Sequence, residues 1–245
     1  VGIKHLYPKR IFTTESRPAN KWLQLDDIDF SDYSHVIIND TDKVYISFDP
    51  RWANDSIRAC KFVPRPTYAV FESLFAHFNL GSARFFLDQP DPRDKLRDPR
   101  NYVNNHNGGM IIIPTNIVAT VTDQWKHYID ELGRNTQLLG PCVRNLDQIA
   151  FALAMESLGI DINFLPKSLD IGLGVRNLSS HVIADDSGQF ILHVHADEDA
   201  NSTIVCRDTT NEKIQDIVAQ FNNEYHEWLL KLELHGYCYN QKIAA

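Results

Sequence analysis

The sequence predicts an α/β fold, a mixed sheet of apolar strands flanked by amphipathic helices. Three observations predict it. The β-branched run Val36-Ile37-Ile38 reads as a strand buried on both faces, and Ile111-Ile112-Ile113 as a second buried strand. Stretches with apolar residues at helical spacing alternate with these runs. The first run stops at two carboxylates, Asp40 and Asp42, at its carboxyl end. Open α/β sheets bind ligands at that edge.

The elements follow in order. Residues 1–32 are polar and irregular, with Pro8 and Pro18 as breakers and one short element over Leu23 to Ile28. Residues 33–39 form the first strand, and Val44 to Phe48 a second one just past the acids. Thr67 to Leu80 carries Val70, Phe71, Leu74, Phe75 and Phe78 at helical spacing, with Pro66 at its start. Asp88 to Tyr102 holds three prolines among many charges and predicts a surface loop. Asn104 to Pro114 predicts a polar, glycine-rich turn that leads into a buried strand. Glycines there let a ligand approach the backbone.

Asn116 to Leu132 predicts a helix with Val118, Val121, Trp125, Tyr128 and Leu132 on one stripe and Gly133 as its stop. Asn145 to Leu158 predicts another. Asn145 suits the N-cap, Gln148 the capping-box position, and Gly159 the end. Ile162 to Leu165 predicts a short strand, and Phe190 to His195 a strand ending in two histidines. A long amphipathic helix is expected over 210–236, packing on a single domain that spans 1–245. The chain opens on Val1 rather than Met, which reads as a piece of a longer protein.

Composition narrows the function. Hydrophobic residues at 43% and charged residues at 23% are ordinary for a folded globular protein. A net charge of −8 argues against nucleic acid, whose binding needs a basic surface to displace counterions. It leaves room for a phosphorylated small molecule, because a divalent ion supplies positive charge locally. No apolar run reaches the roughly 20 residues that span a bilayer, so no membrane span is expected. Cys60, Cys142, Cys206 and Cys238 form no C-x-x-C pair, which argues against zinc, and their wide spacing gives no disulfide framework.

Asp40-Thr41-Asp42 has two readings. In an extended backbone residues i and i+2 share a face, so both acids can hold one hard cation, Mn²⁺ or Mg²⁺. Asp-Thr-Asp is equally good turn chemistry. Asp147 and Gln148 likewise suit the first turn of any helix. Gly108-Gly109 suits a plain turn, and His193 and His195 an ordinary strand. What distinguishes the chain is the order of these four landmarks.

In that order the sequence resembles the GT-A-fold nucleotide-sugar glycosyltransferases, the retaining galactosyltransferase and glycogenin-like branch most closely. Those proteins carry an apolar strand into Asp-x-Asp and then Asn-(Ser/Gly)-Gly followed by an apolar strand. Asp-Gln at a helix start comes next, then a His on a late strand. The resemblance covers roughly residues 20–200. It implies a Rossmann-like GT-A mixed sheet. The strand that cradles the nucleoside is commonly far upstream, and only 39 residues precede Asp40 here. The first strand or strands are therefore expected to be lacking.

The resemblance also implies a metal-dependent hexosyltransferase that uses a nucleotide sugar, a UDP-sugar above all, and a carbohydrate or protein acceptor. Asp40, Asp42 and His193, with His195 as the alternative, would hold Mn²⁺ or Mg²⁺. Asn107 and Gly108 would line the sugar pocket, and Asp40 would also face the donor. Asp147 would accept hydrogen bonds from the sugar hydroxyls, and Gln148 would sit near the anomeric carbon. Val194 and Ala196 stand where the family has an aromatic residue and a glycine. Two other functions are compatible: a non-catalytic transferase-like binding domain, and a metal-dependent phosphoesterase using the same acids. Asn39 begins a glycosylation sequon beside the expected metal. A glycan there would block entry, which favours a non-glycosylating, cytoplasmic compartment.

Overall fold

The computed structural model describes residues 25, 28–40, 43–45, 50–61, 66–87, 98–166, 171–172, 191–193 and 212–234. The expected irregular stretch ahead of residue 25, residues 88–97, Asp42 and His195 lie outside them. The described elements are strands β1 (His35–Asn39), β2 (Lys43–Tyr45), β3 (Arg58–Lys61), β4 (Phe85–Leu87), β5 (Arg100–Tyr102), β6 (His106–Pro114), β7 (Asn163–Phe164), β8 (Ile171–Gly172) and β9 (Ile191–His193). The helices are α1 (Tyr68–Phe78), α2 (Thr115–Arg134), α3 (Leu146–Ser157) and α4 (Glu212–Leu234). The chain divides into two units, residues 1–40 with 50–166, and residues 41–49 with 167–245.

The first unit is a mixed sheet flanked by helices, in the order β1-β6-β3-β7. β1 and β3 run antiparallel to β6, and β7 runs parallel to β3. The central strand β6 is the one buried on both faces, as its Ile111-Ile112-Ile113 run requires. β1 is not. Val36 and Ile38 are buried, while Ile37 is 40% exposed. β1 lies at the sheet edge, so its β-branched run serves one buried face only, alternating with period two.

The inner face of the sheet joins the helix stripes in one core. Val36, Ile38, Ala59, Ile111 and Ile113 pack in the same cluster as Phe71, Phe75, Trp125 and Phe151. The predicted stripe of α2 is buried throughout, from Val118 to Leu132. Its stop differs from expectation. The helix passes through Gly133 and ends at Arg134, followed by the C-cap Asn135, whose side-chain amide donates to the Glu131 carbonyl at 2.9 Å. α3 closes at Gly159 as expected, in a positive-φ conformation (66°) that a glycine adopts without Cβ strain. Its start also differs. A 3₁₀ segment, Gly140–Asn145, feeds directly into α3, and the Asn145 side chain makes no cap hydrogen bond. The chain is already helical there, so the extended conformation an N-cap needs is absent.

The expected loop over 88–102 ends in structure. β5 pairs antiparallel with β4, Phe85 opposite Tyr102 and Leu87 opposite Arg100. Tyr102 is fully buried, with its ring 4.5 Å from that of Phe71 and 5.1 Å from that of Phe75. Three prolines nearby hid a strand too short to show alternation. The Tyr102 hydroxyl donates to Glu156 Oε2 at 2.7 Å, and Arg84 bridges Glu156 at 3.0 Å and Asp161 at 2.6 Å.

Burial, then the hydrogen bond to Glu156, push the Tyr102 hydroxyl pKa far above the usual tyrosine range. A pKa raised on folding adds stability that is complete below the unfolded value, about 10, and is lost as pH rises above it. Melting temperature should therefore fall between about pH 9 and about pH 11, and fall less steeply in Tyr102→Phe. Equal slopes for the two proteins would show that the hydroxyl does not titrate with unfolding.

In the second unit, β2 and β8 flank β9, antiparallel and parallel respectively. The strands expected over 44–48 and 190–195 are represented by β2 and β9. The expected terminal helix is α4, which buries Ile214 and Val218 and stacks Phe221 on Tyr225 one turn away. No described helix is long and apolar enough to cross a membrane. Cys60 and Cys142 are buried free thiols.

Candidate functional site

Three of the four sequence landmarks meet at one end of the first unit. Asp40 follows β1, and its backbone N–H donates to the Gly109 carbonyl at 2.9 Å. That bond continues the β1–β6 ladder, in which Asn39 faces Met110. The Asp-x-Asp strand end and the Asn-Gly-Gly segment are therefore neighbours by backbone pairing.

The Asn-Gly-Gly segment is part of β6 rather than a turn ahead of it. On its β3 side the register breaks. Ala59 faces Ile111, but the next residue, Cys60, faces Asn107. Gly108, Gly109 and Met110 are thus skipped by β3 and form a bulge. Such bulges re-aim a strand beside functional sites. Inside the bulge, the Gly109 N–H donates to Asn107 Oδ1 at 2.7 Å.

The bulge brings Gly108 against the start of α3. A Cβ built on Gly108 would stand 3.0 Å from Gln148 Cγ and 3.6 Å from Asp147 Oδ2. Glycine suits this close approach, because an added Cβ would force the Gln148 side chain to shift; its φ is not in the left-handed region, so the backbone makes no such demand. Asp147 is 6% exposed, in the first turn of α3 where the helix dipole favours a carboxylate. The Trp125 indole N–H donates to the Asp147 carbonyl at 2.9 Å, tying this turn to α2. Gln148 Oε1 is buried and has no hydrogen-bond partner among the described residues. The side chain lies against Gly108 instead of reaching back as a capping box would have it.

Asp40, Asn107, Gly108, Asp147 and Gln148 therefore form one contiguous group. The remaining predicted residues belong to the second unit. His193 ends β9, and its backbone pairs with that of Lys43, the residue after Asp42. Among the described residues no three His, Cys, Asp or Glu side chains gather as a metal site. Sequence reasoning missed the second task of Trp125, which it placed only in the core stripe. It also missed the bulge, although Asn followed two residues later by Gly is the pattern of an Asx turn.

These features define a mixed α/β protein in which the strand end at Asp40, the glycine bulge of β6 and the first turn of α3 pack together. No protein-family model, curated protein or solved structure matches the chain.

Proposed function

We propose that the chain is a metal-dependent glycosyltransferase, built on a GT-A type of sheet, that moves a sugar from a nucleotide-sugar donor to a carbohydrate or protein acceptor. The observation that carries this reading is the convergence of Asp40, the Asn107-Gly108 bulge and the Asp147-Gln148 turn. It sets a buried amide oxygen on Gln148, without a hydrogen-bond partner among the described residues, beside the Asp147 carboxylate and against the backbone of Gly108. A buried acceptor left without a donor costs about 1–3 kcal/mol. Sugar hydroxyls are donors of the right kind, and binding one recovers that cost.

Asp147 accepts hydrogen bonds from the sugar hydroxyls, and Gln148 lies beside the anomeric carbon. Asn107 and Gly108 line the pocket, and Asp40 faces the donor from the adjoining strand end. Two carboxylates and an imidazole form a donor set suited to Mn²⁺ or Mg²⁺. Asp40, Asp42 and His193, or His195 in its place, would hold the ion. Within the second unit, the backbone pairing of His193 with Lys43 supports only the part of this assignment that couples the late strand to the chain just past the acids. When bound, the ion would neutralise the charge that develops on the diphosphate as the glycosidic bond breaks.

The test is thermal. UDP with Mn²⁺ at about 100 times its Kd should add about 2.7 kcal/mol of stability, a rise in melting temperature of about 5–10 °C for a chain of this size. Asp42→Ala and chelation should each abolish the rise. If no nucleoside diphosphate shifts melting with either ion, the proposal fails. Glycan binding that survives chelation would identify a non-catalytic binding domain instead. Phosphate release without sugar transfer would identify a phosphoesterase.

A further inference from the structure

We propose that Asn107 is a positioning residue, whose side-chain carbonyl builds the β6 bulge that seats Gly108 on Asp147 and Gln148. This rests on the sugar-pocket reading for its purpose, but its geometry stands on the first unit alone.

Four observations carry it. β6 keeps its register with β1 through Met110, and the Asp40 N–H still reaches the Gly109 carbonyl. β6 loses its register with β3 over three residues and regains it at Asn107. One edge of the segment is thus held to β1 while the other bows away from β3. The 2.7 Å bond from the Gly109 N–H to Asn107 Oδ1 spans the bowed segment from its first paired residue. Two residues is the span an Asn side chain closes in an Asx turn. Finally, the residue enclosed by that bond is Gly108, the position whose added Cβ would crowd Gln148 Cγ at 3.0 Å.

Each part fits the next. Glycines let the backbone bow, but they also make it the most costly segment to order. The Asn107 oxygen holds one bowed shape and so fixes the distance between the strand and the first turn of α3. The oxygen accepts this bond from within β6 itself. Asn107 therefore acts on a bound sugar chiefly through where it puts Gly108, Asp147 and Gln148.

Amide exchange tests the geometry. In Asn107→Ala, exchange at Gly109 should accelerate about fivefold or more, the worth of one net hydrogen bond. Asn107→Asp keeps the acceptor and should exchange Gly109 close to the wild-type rate. A through-bond coupling between the Gly109 nitrogen and the Asn107 side-chain carbonyl carbon, read in the unaltered protein, tests the same bond should the alanine variant fail to fold. Absence of that coupling, or equal Gly109 exchange in wild type and Asn107→Ala, overturns the proposal. So does Asn107→Asp exchanging as fast as Asn107→Ala.

The functional arm uses UDP-glucose and UDP-galactose with Mn²⁺. Affinity should fall at least tenfold in Asn107→Ala and be restored to within about threefold in Asn107→Asp. Loss in both variants would make the side-chain amide a direct sugar contact and would overturn the positioning role. If the wild-type protein binds neither donor, the glycosyltransferase reading fails, while Gly109 exchange still decides what Asn107 does.

Discussion

Replacing Asn104 by Leu should destabilise the protein by about 2–5 kcal/mol. Asn104 is fully buried, and both ends of its amide are used. Its Oδ1 accepts from the Ile162 N–H at 2.9 Å, and its Nδ2 donates to the Ile160 carbonyl at 3.1 Å. These bonds hold the short return that follows the Gly159 turn. β7 follows at once and joins β3 through the Asn163 N–H to the Ile57 carbonyl and the Leu165 N–H to the Ala59 carbonyl, both 2.9 Å. A two-residue parallel strand has no hairpin to set its register, so the Asn104 staple sets it. Leucine fills the volume but strands a buried donor and a buried acceptor, at about 1–3 kcal/mol each. Urea unfolding should show a lower midpoint with an unchanged slope. A loss below about 0.5 kcal/mol, the range of a neutral surface change, would mean that the return is held by other contacts.

Much of the first unit was legible because its signals are local. The stripe of α2, the Pro66 start of α1 and the Gly159 stop of α3 depend on residues a turn apart, and each is where periodicity and backbone chemistry place it. What the sequence concealed depends on partners far along the chain. Val36-Ile37-Ile38 and Ile111-Ile112-Ile113 look alike, yet one is an edge strand and the other central. Strand position is a property of the sheet, and no window of sequence contains it. β3, Arg58–Lys61, offers only Ala59 and Cys60 as apolar residues, too few to show a period. The Asn145 cap failed because the preceding 3₁₀ segment had already begun the turn.

The grouping of the candidate residues was legible by a different route. Asp40, Asn107, Gly108, Asp147 and Gln148 were singled out by the order of motifs, and those five converge. What the order could not supply is how they converge. A bulge arises from a mismatch between the two neighbours of one strand, so it is invisible until both are in place. The indole of Trp125 shows the same limit. Its place on the α2 stripe follows from spacing, but its bond to the Asp147 carbonyl follows from how α2 and α3 pack.

Gly108→Val should cost about 1–3 kcal/mol of stability through overpacking and, under the proposed transferase function, lower sugar transfer about 100-fold. The backbone conformation at Gly108 is open to other residues, since its φ lies outside the left-handed region, so the whole effect comes from contact. A single Cβ already meets Gln148 Cγ at 3.0 Å and Cδ at 3.5 Å. Two further methyls leave Gln148 no room in its present rotamer and press on the Asp147 carboxylate. Both side chains are then displaced from the positions the proposed function assigns them.

The contact predicts a sign as well as a size. Gln148→Ala removes the atoms that clash, so it should partly rescue the stability lost in Gly108→Val. The coupling across the pair should be about 1 kcal/mol and favourable in the double variant, read by unfolding all four proteins in urea. Additivity to within about 0.3–0.5 kcal/mol would mean that the two residues do not touch. Gly108 would then not be seated on the first turn of α3, whatever the protein's function.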